Sequence, residues 1–249
     1  MASLSSTVAA MTNRTTDTRK TGLAFLAGSL GGLVTMAIHP TGAHTVTPEQ
    51  FDRLALQSGI AHSLAMVSFL LLFLGAIGLT RRLAAFEAAH SGEDHQDRLA
   101  LTALVAYGFG VVALLLATAV SGFIIPDILQ HSLRDAAANR TQWQIVIDSV
   151  FQFNQAFAKI YSVAASAAIL LWSASALRNP EESRGGISRA IALYGCVIAP
   201  PLVLLIAVGH LRLDVHGMAV VVLAHAIWFV VVGVQLLRDR DTRSNLKIS

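Results

Sequence analysis

Six stretches of this chain are each as long as a bilayer is thick and almost free of charge. That feature limits the fold more than any other. Thr21 to His39, Leu54 to Thr80, Leu99 to Pro126, Ala190 to Leu211 and Val215 to Leu237 contain no Asp, Glu, Lys or Arg, and Ser149 to Leu177 contains only Lys159. A hydrocarbon core about 30 Å thick is crossed by roughly 20 apolar residues in a helix. Lipid offers no partner to a backbone N–H or C=O, so a spanning segment must satisfy its own, as a helix does. The period-two alternation of a membrane β-barrel is absent. The expected fold is therefore all-α, a polytopic membrane bundle of six transmembrane helices. Composition agrees, with 54% hydrophobic and 13% charged residues, against about a quarter charged in a soluble domain. Disordered, fibrous and nucleic-acid-binding classes are excluded, and a soluble enzyme is disfavoured. The single cysteine, Cys196, permits no disulfide or thiolate metal site within one chain.

Orientation follows from the distribution of positive charge. Thirteen cations, Arg14, Arg19, Lys20, Arg81, Arg82, Arg98, Arg178, Arg184, Arg189, Arg238, Arg240, Arg243 and Lys247, fall on one side of the predicted spans; four, Arg53, Arg134, Arg140 and Arg212, fall on the other. Both termini are expected in the cytoplasm, with residues 40–53, 127–148 and 212–214 outside. Residues 1–20 are Ser/Thr-rich and lack an apolar run near the start. They read as a flexible cytoplasmic tail rather than a cleavable signal. The transmembrane domain is expected over 21–238, with a second cytoplasmic tail over 239–249. After Pro126, a residue suited to the first turn of a helix, Ile128, Leu129 and Leu133 make a short apolar face. They predict a short outer interfacial helix lying over the span ends.

Seven of the nine histidines, His39, His44, His62, His131, His210, His216 and His225, fall at or near the outer side; only His90 and His95 are inside. Depth sharpens this. About 20 residues outward from Arg81 is Ala61, beside His62; from Arg189, Gly209, beside His210; from Lys20, Pro40, beside His39. His225 lies seven residues deeper than the corresponding level on its own helix, about 10 Å. Imidazole is the commonest nitrogen ligand of metals and binds haem iron. Ionisable groups within spans face the interior and mark function. His39, His62, His210 and His225 are therefore candidate metal ligands, and His62 with His225 the candidate cofactor pair, for a metal ion or a b-type haem. The bland alternative is four interfacial histidines, each hydrated or bonded to a neighbouring helix.

The fourth span carries a second feature. Asp148, Gln152, Gln155 and Lys159 share one helix face with Ser162, Ser166 and Ser173, Lys159 lying about 20° from Asp148 at 100° per residue. This polar stripe should face other helices or an outer cavity, so the first four are candidate cavity-lining residues. Pro200–Pro201 lies mid-span in the fifth helix and should loosen it. Gly28 and Gly32 make a small-xxx-small helix contact motif.

His39-Pro40, Ala61-His62 and the run from Leu72 to Arg81 resemble small six-helix integral membrane proteins of bacteria. The resemblance implies a bacterial inner-membrane protein and no established activity. A second, weaker resemblance is to membrane hydrolases that hold zinc through three His and an Asp. Those carry a His-x-x-x-His pair on a late helix, whereas His216 and His225 are nine residues apart here. No nucleotide, metalloprotease or serine-hydrolase motif occurs. Three functions stay open: a binding protein with an outer-leaflet metal or haem site, a carrier or channel for a small solute using the stripe and the Pro200–Pro201 region, and a zinc-dependent hydrolase with Ser58 near His62. The partner expected is the lipid bilayer, with room for a homo-oligomer and none for nucleic acid.

Overall fold

The computed structural model describes the backbone of residues 2–40, 48–91, 98–135, 139–178 and 187–245. It comprises α1 (Ala2–Ile38), α2 (Pro48–Ser91), α3 (Arg98–Ala119), a π-helical turn (Val120–Ile124), α4 (Ile125–Arg134), α5 (Arg140–Arg178), α6 (Arg189–Ala207) and α7 (Val215–Asn245). Among the described residues there is no strand. Six helical segments are long and apolar enough to cross a membrane: Asp17–Ile38, Gln50–Ala85, Arg98–Arg134, Thr141–Arg178, Arg189–Ala207 and Val215–Arg238. The chain is an all-α six-helix bundle of the multi-pass membrane type.

Neighbouring helices close a ring in the order α7, α1, α2, α3, α5, α6 and back to α7. Aromatic rings fill its middle. Phe25 packs on Phe229 at 5.1 Å between centroids, Tyr107 on both Trp172 and Phe229 at 5.6 Å, and Trp172 on Trp228 at 5.9 Å. Each indole N–H finds a hydroxyl in this dry interior: Trp172 Nε1 donates to Thr80 Oγ1 at 3.0 Å and Trp228 Nε1 to Ser173 Oγ at 3.1 Å. Large apolar residues cover the outside, Leu30, Phe109 and Val197 among them. Lipid is as apolar as these side chains, so burial alone does not drive the helices together; close packing at small residues does. A Cβ at Gly28 would lie 2.7 Å from Ser68 O, and one at Gly22 2.8 Å from Gly233 O. Gly28 thus lets α1 approach α2, and Gly22 lets it approach α7; Gly32, the other half of the predicted motif, faces Val222 of α7 at 4.0 Å instead of α2.

Three differences from the sequence reading have physical causes. The tails are not separate from the spans: helix α1 begins at Ala2 and α7 runs to Asn245. No Pro or Gly interrupts residues 2–20, and extending an existing helix is far easier than nucleating one. Second, the short outer helix is present as Ile125–Arg134, but it continues α3 without a break, since Ile124 and Ile125 both keep right-handed helical angles. Pro126 has no N–H to give to the turn before it, and that turn is the π turn, where the helix is already irregular. Third, α6 passes through Pro200 and Pro201 as helix and stops at Ala207. Gly209, at φ 75°, reverses the chain, while Gly209 N–H bonds Ile206 O and Leu211 N–H bonds Leu205 O.

The end carrying residues 38–40, 124–135 and 208–214 is the one that the charge count expects on the outer side. Contacts across it tie the elements together: Gln57 Nε2 donates to Ile38 O at 2.8 Å, and Gln155 Nε2 to Leu213 O at 2.9 Å.

Candidate functional site

The first two spans and the π turn meet around His62. The residue is buried, on α2 one turn after Ser58. A π turn is wider than an α turn and disturbs the usual pairing of helix carbonyls. Here Ser58 Oγ donates to Ser121 O at 3.3 Å. The next residue, Gly122, packs directly on the histidine: a Cβ there would lie 2.5 Å from His62 Cβ and 2.8 Å from its Cγ. A glycine in the π turn thus makes the space that His62 occupies.

His62 Nδ1 donates to Ser58 O at 2.7 Å, the shortest contact it makes; Ser58 Oγ lies 3.3 Å from the same nitrogen. His39, half-buried at the end of the first span, donates from Nδ1 to Pro40 O at 3.1 Å. The two imidazoles stand edge to face with centroids 5.0 Å apart. A neutral imidazole has one N–H and one lone pair. Since each Nδ1 spends its proton on a backbone carbonyl, each lone pair resides on Nε2. Among the described residues neither Nε2 has a hydrogen-bond partner. This is the arrangement in which a backbone carbonyl orients a ligating histidine.

His225 has the opposite arrangement. It is fully enclosed on α7, its Nε2 lies 3.0 Å from Ser166 Oγ of α5, and its ring stands 6.1 Å from that of Tyr161. Its Nδ1 is buried without a partner among the described residues. Tyr161 in turn packs on Phe69 of α2 at 6.0 Å, so aromatic rings occupy the space on the α2 side of His225. The ring contact of His62 is with His39, and that of His225 is with Tyr161. His210 is exposed beside the turn at Gly209, because α6 ends short of it. His131 and His216 are exposed. His44, His95 and the side chain of His90 lie outside the described residues.

The four histidines named from the sequence are thus not gathered at one point. Among the described residues, no group of three or more His, Cys, Asp or Glu is placed to hold a metal ion. Counting residues from a charged anchor gives the height of a side chain in the membrane but not its direction around the bundle. Only His39 and His62 share both.

The stripe on α5 divides at its middle. Ser162, Ser166 and Ser173 are buried against neighbouring helices, and Gln155 is half-buried on Leu213 O. Asp148, Gln152 and Lys159 are exposed, with Asp148 accepting from Gln144 Nε2 at 2.8 Å. One helix face is therefore covered toward the inner end and uncovered toward the outer end. The α5 helix is 39 residues long, about 58 Å at 1.5 Å per residue, longer than the hydrocarbon core.

No family model, no curated protein and no solved structure matches this chain.

Sequence reasoning found His39, His62, Ser58 and the stripe. It missed the π turn and the contact between Gly122 and His62. The only signal in the sequence is Ser121-Gly122 inside an otherwise apolar run, and small residues there suit ordinary helix packing equally well.

Proposed function

We propose that the chain is an integral membrane binding protein whose outer-leaflet pair, His39 and His62, takes one divalent transition-metal ion. The observation that carries this reading is the tautomer. Two imidazoles 5.0 Å apart both commit Nδ1 to backbone carbonyls, which leaves the Nε2 lone pair of each of two adjacent rings available to a ligand. Two rings bound at about 2.1 Å to a tetrahedral ion have centroids at a similar separation. Two protein ligands leave coordination positions for water or a small ligand, so the ion would be exchangeable.

The hydrolase reading fares worse at the same residues. Ser58 could be activated only by an unprotonated nitrogen. The nitrogen beside it, His62 Nδ1, donates to Ser58 O instead, and Ser58 Oγ donates to Ser121 O. The carrier reading fares no better, since Asp148, Gln152 and Lys159, which it needs lining a cavity, are exposed.

The test is a metal titration of the purified protein with Co(II) and Zn(II), read by calorimetry and elemental analysis. One equivalent should bind, and His39→Ala and His62→Ala should each lose it. His210→Ala and His225→Ala should keep it. Absence of stoichiometric binding, or binding indifferent to His39 and His62, would refute the assignment.

A further inference from the structure

Helices α2 and α5 keep one register across the bundle. As the second and fourth of six spans they run in the same direction. Trp172 Nε1 of α5 donates to Thr80 Oγ1 of α2, two residues 92 apart in the chain. Nearer the end that carries His39, Tyr161 packs on Phe69 at 6.0 Å with the same spacing. One heptad further toward that end stand His62 on α2 and Asn154 on α5. A heptad returns a helix to within about 20° of the face it left, after a rise of about 10.5 Å. His62 and Asn154 are therefore at one level, on the faces through which Phe69 and Tyr161 meet. Asn154 is not on the polar stripe of α5; it lies about 100° round the helix from Gln155.

The polar atoms near this level are unevenly matched. The donors are spent: Gln57 Nε2 on Ile38 O, Gln155 Nε2 on Leu213 O and Ser58 Oγ on Ser121 O. Three acceptors are not. Nε2 of His39 and Nε2 of His62 each keep a lone pair without a partner among the described residues. Asn154 Oδ1 is buried and also has none among them. An asparagine that serves only to join membrane helices spends its side chain on a neighbouring helix, and a buried amide oxygen left without a donor costs stability. Acceptors without donors suit an electron-poor guest. Imidazole nitrogen and amide oxygen together suit a divalent ion such as Zn(II) or Co(II) better than Cu(I), which selects softer ligands.

We propose that Asn154 Oδ1 is the third protein ligand of the metal site at His39 and His62. The assignment rests on the metal reading of that pair and extends it. Asn154 fills one of the positions that two imidazoles leave, and a tetrahedral ion keeps one more for water or a small ligand. All three protein ligands are neutral, so the ion retains its full charge and the open position favours an anion.

Titration of the full-length protein in detergent with Co(II) or Zn(II) alone tests this, beside thermal unfolding of the metal-free protein in chelator. Asn154→Leu should bind either ion about tenfold more weakly or worse, the least that a group acting on a metal site is worth. Metal-free, it should melt no lower than wild type, because it removes an acceptor that has no partner. Asn154→Asp should bind about tenfold more tightly, since added ligand charge raises affinity at the same oxygen. A wild-type protein that binds neither ion would remove the reading of the histidine pair and this assignment with it. Wild-type binding that depends on His39 and His62, but is unchanged in Asn154→Leu or not tightened in Asn154→Asp, would overturn the third ligand alone. A metal-free Asn154→Leu that melts well below wild type would also overturn it, by making Asn154 a structural residue of the bundle.

Discussion

Two buried histidines in this bundle are wired in opposite senses. His62, near the end carrying Gly209, satisfies Nδ1 on the backbone of its own helix and leaves Nε2 with no partner among the described residues, beside a second imidazole. His225, fully enclosed, satisfies Nε2 on Ser166 and buries Nδ1 without a partner among the described residues. The same residue type thus serves two ends. Where a nitrogen without a hydrogen bond adjoins another ligand, it can take a third party. Where it is walled in by Tyr161 and the surrounding helices, it costs stability and binds its neighbour helix. Burial or depth alone would have ranked His225 above His62; hydrogen-bond accounting reverses that order.

Ways to break this comparison can be ordered by expected effect. The largest belongs to His62→Ala and His39→Ala, each expected to lower metal affinity about 100-fold or more, since even an orienting partner of a ligand is worth 10–100-fold. Affinity within a few-fold of wild type in either variant would remove the distinction. Next comes Gly122→Leu. It places side-chain atoms where His62 stands, and overpacking of this kind costs about 1–3 kcal/mol. Thermal unfolding in detergent should show the loss, and metal affinity should fall with it. A fully stable Gly122→Leu that still binds metal would mean that the π turn does not position His62.

A third test sharpens the other side. Ser166→Ala leaves both nitrogens of His225 without partners and should destabilise the protein by about 1–2 kcal/mol. Adding His225→Leu to it removes the orphaned imidazole and should recover most of that loss, a coupling that a double-mutant cycle reads directly. Additive effects would show that the Ser166–His225 contact carries no energy. The smallest effect is expected from Ser58→Ala. The backbone of Ser58, not its hydroxyl, holds His62 Nδ1 at 2.7 Å, so metal affinity should change less than about threefold, with a stability loss near 1 kcal/mol from the carbonyl of Ser121. A collapse of binding in Ser58→Ala would assign the hydroxyl a role that the geometry denies it.

Much of the fold was legible because membranes make sequence explicit. Charge-free runs mark the spans, and their bounds agree with the helices to within a few residues at many ends. The ends that differ lie where extension is permitted, as at Ala2 and Asn245, or where a turn intervenes, as at Gly209 before His210. The site was legible only in part. Periodicity placed Ser162, Ser166 and Ser173 on one covered face, as found, but the same reasoning expected Asp148, Gln152 and Lys159 to face other helices or a cavity, and they are exposed. Height in the membrane selected His39, His62, His210 and His225 together, but azimuth about the ring axis depends on which helices neighbour which. A single sequence does not encode that locally. Nor does it announce that Pro126 continues α3 through a π turn, because the same Pro equally suits a fresh start after a loop.

The most direct test of the central claim is the Cu(II) electron paramagnetic resonance spectrum of the purified protein at one equivalent of metal. The account predicts hyperfine structure from two imidazole nitrogens, reduced to one in His39→Ala and in His62→Ala, and unchanged at two in His225→Ala. A two-nitrogen pattern that survives loss of His39 or His62, or that disappears with His225, would contradict it.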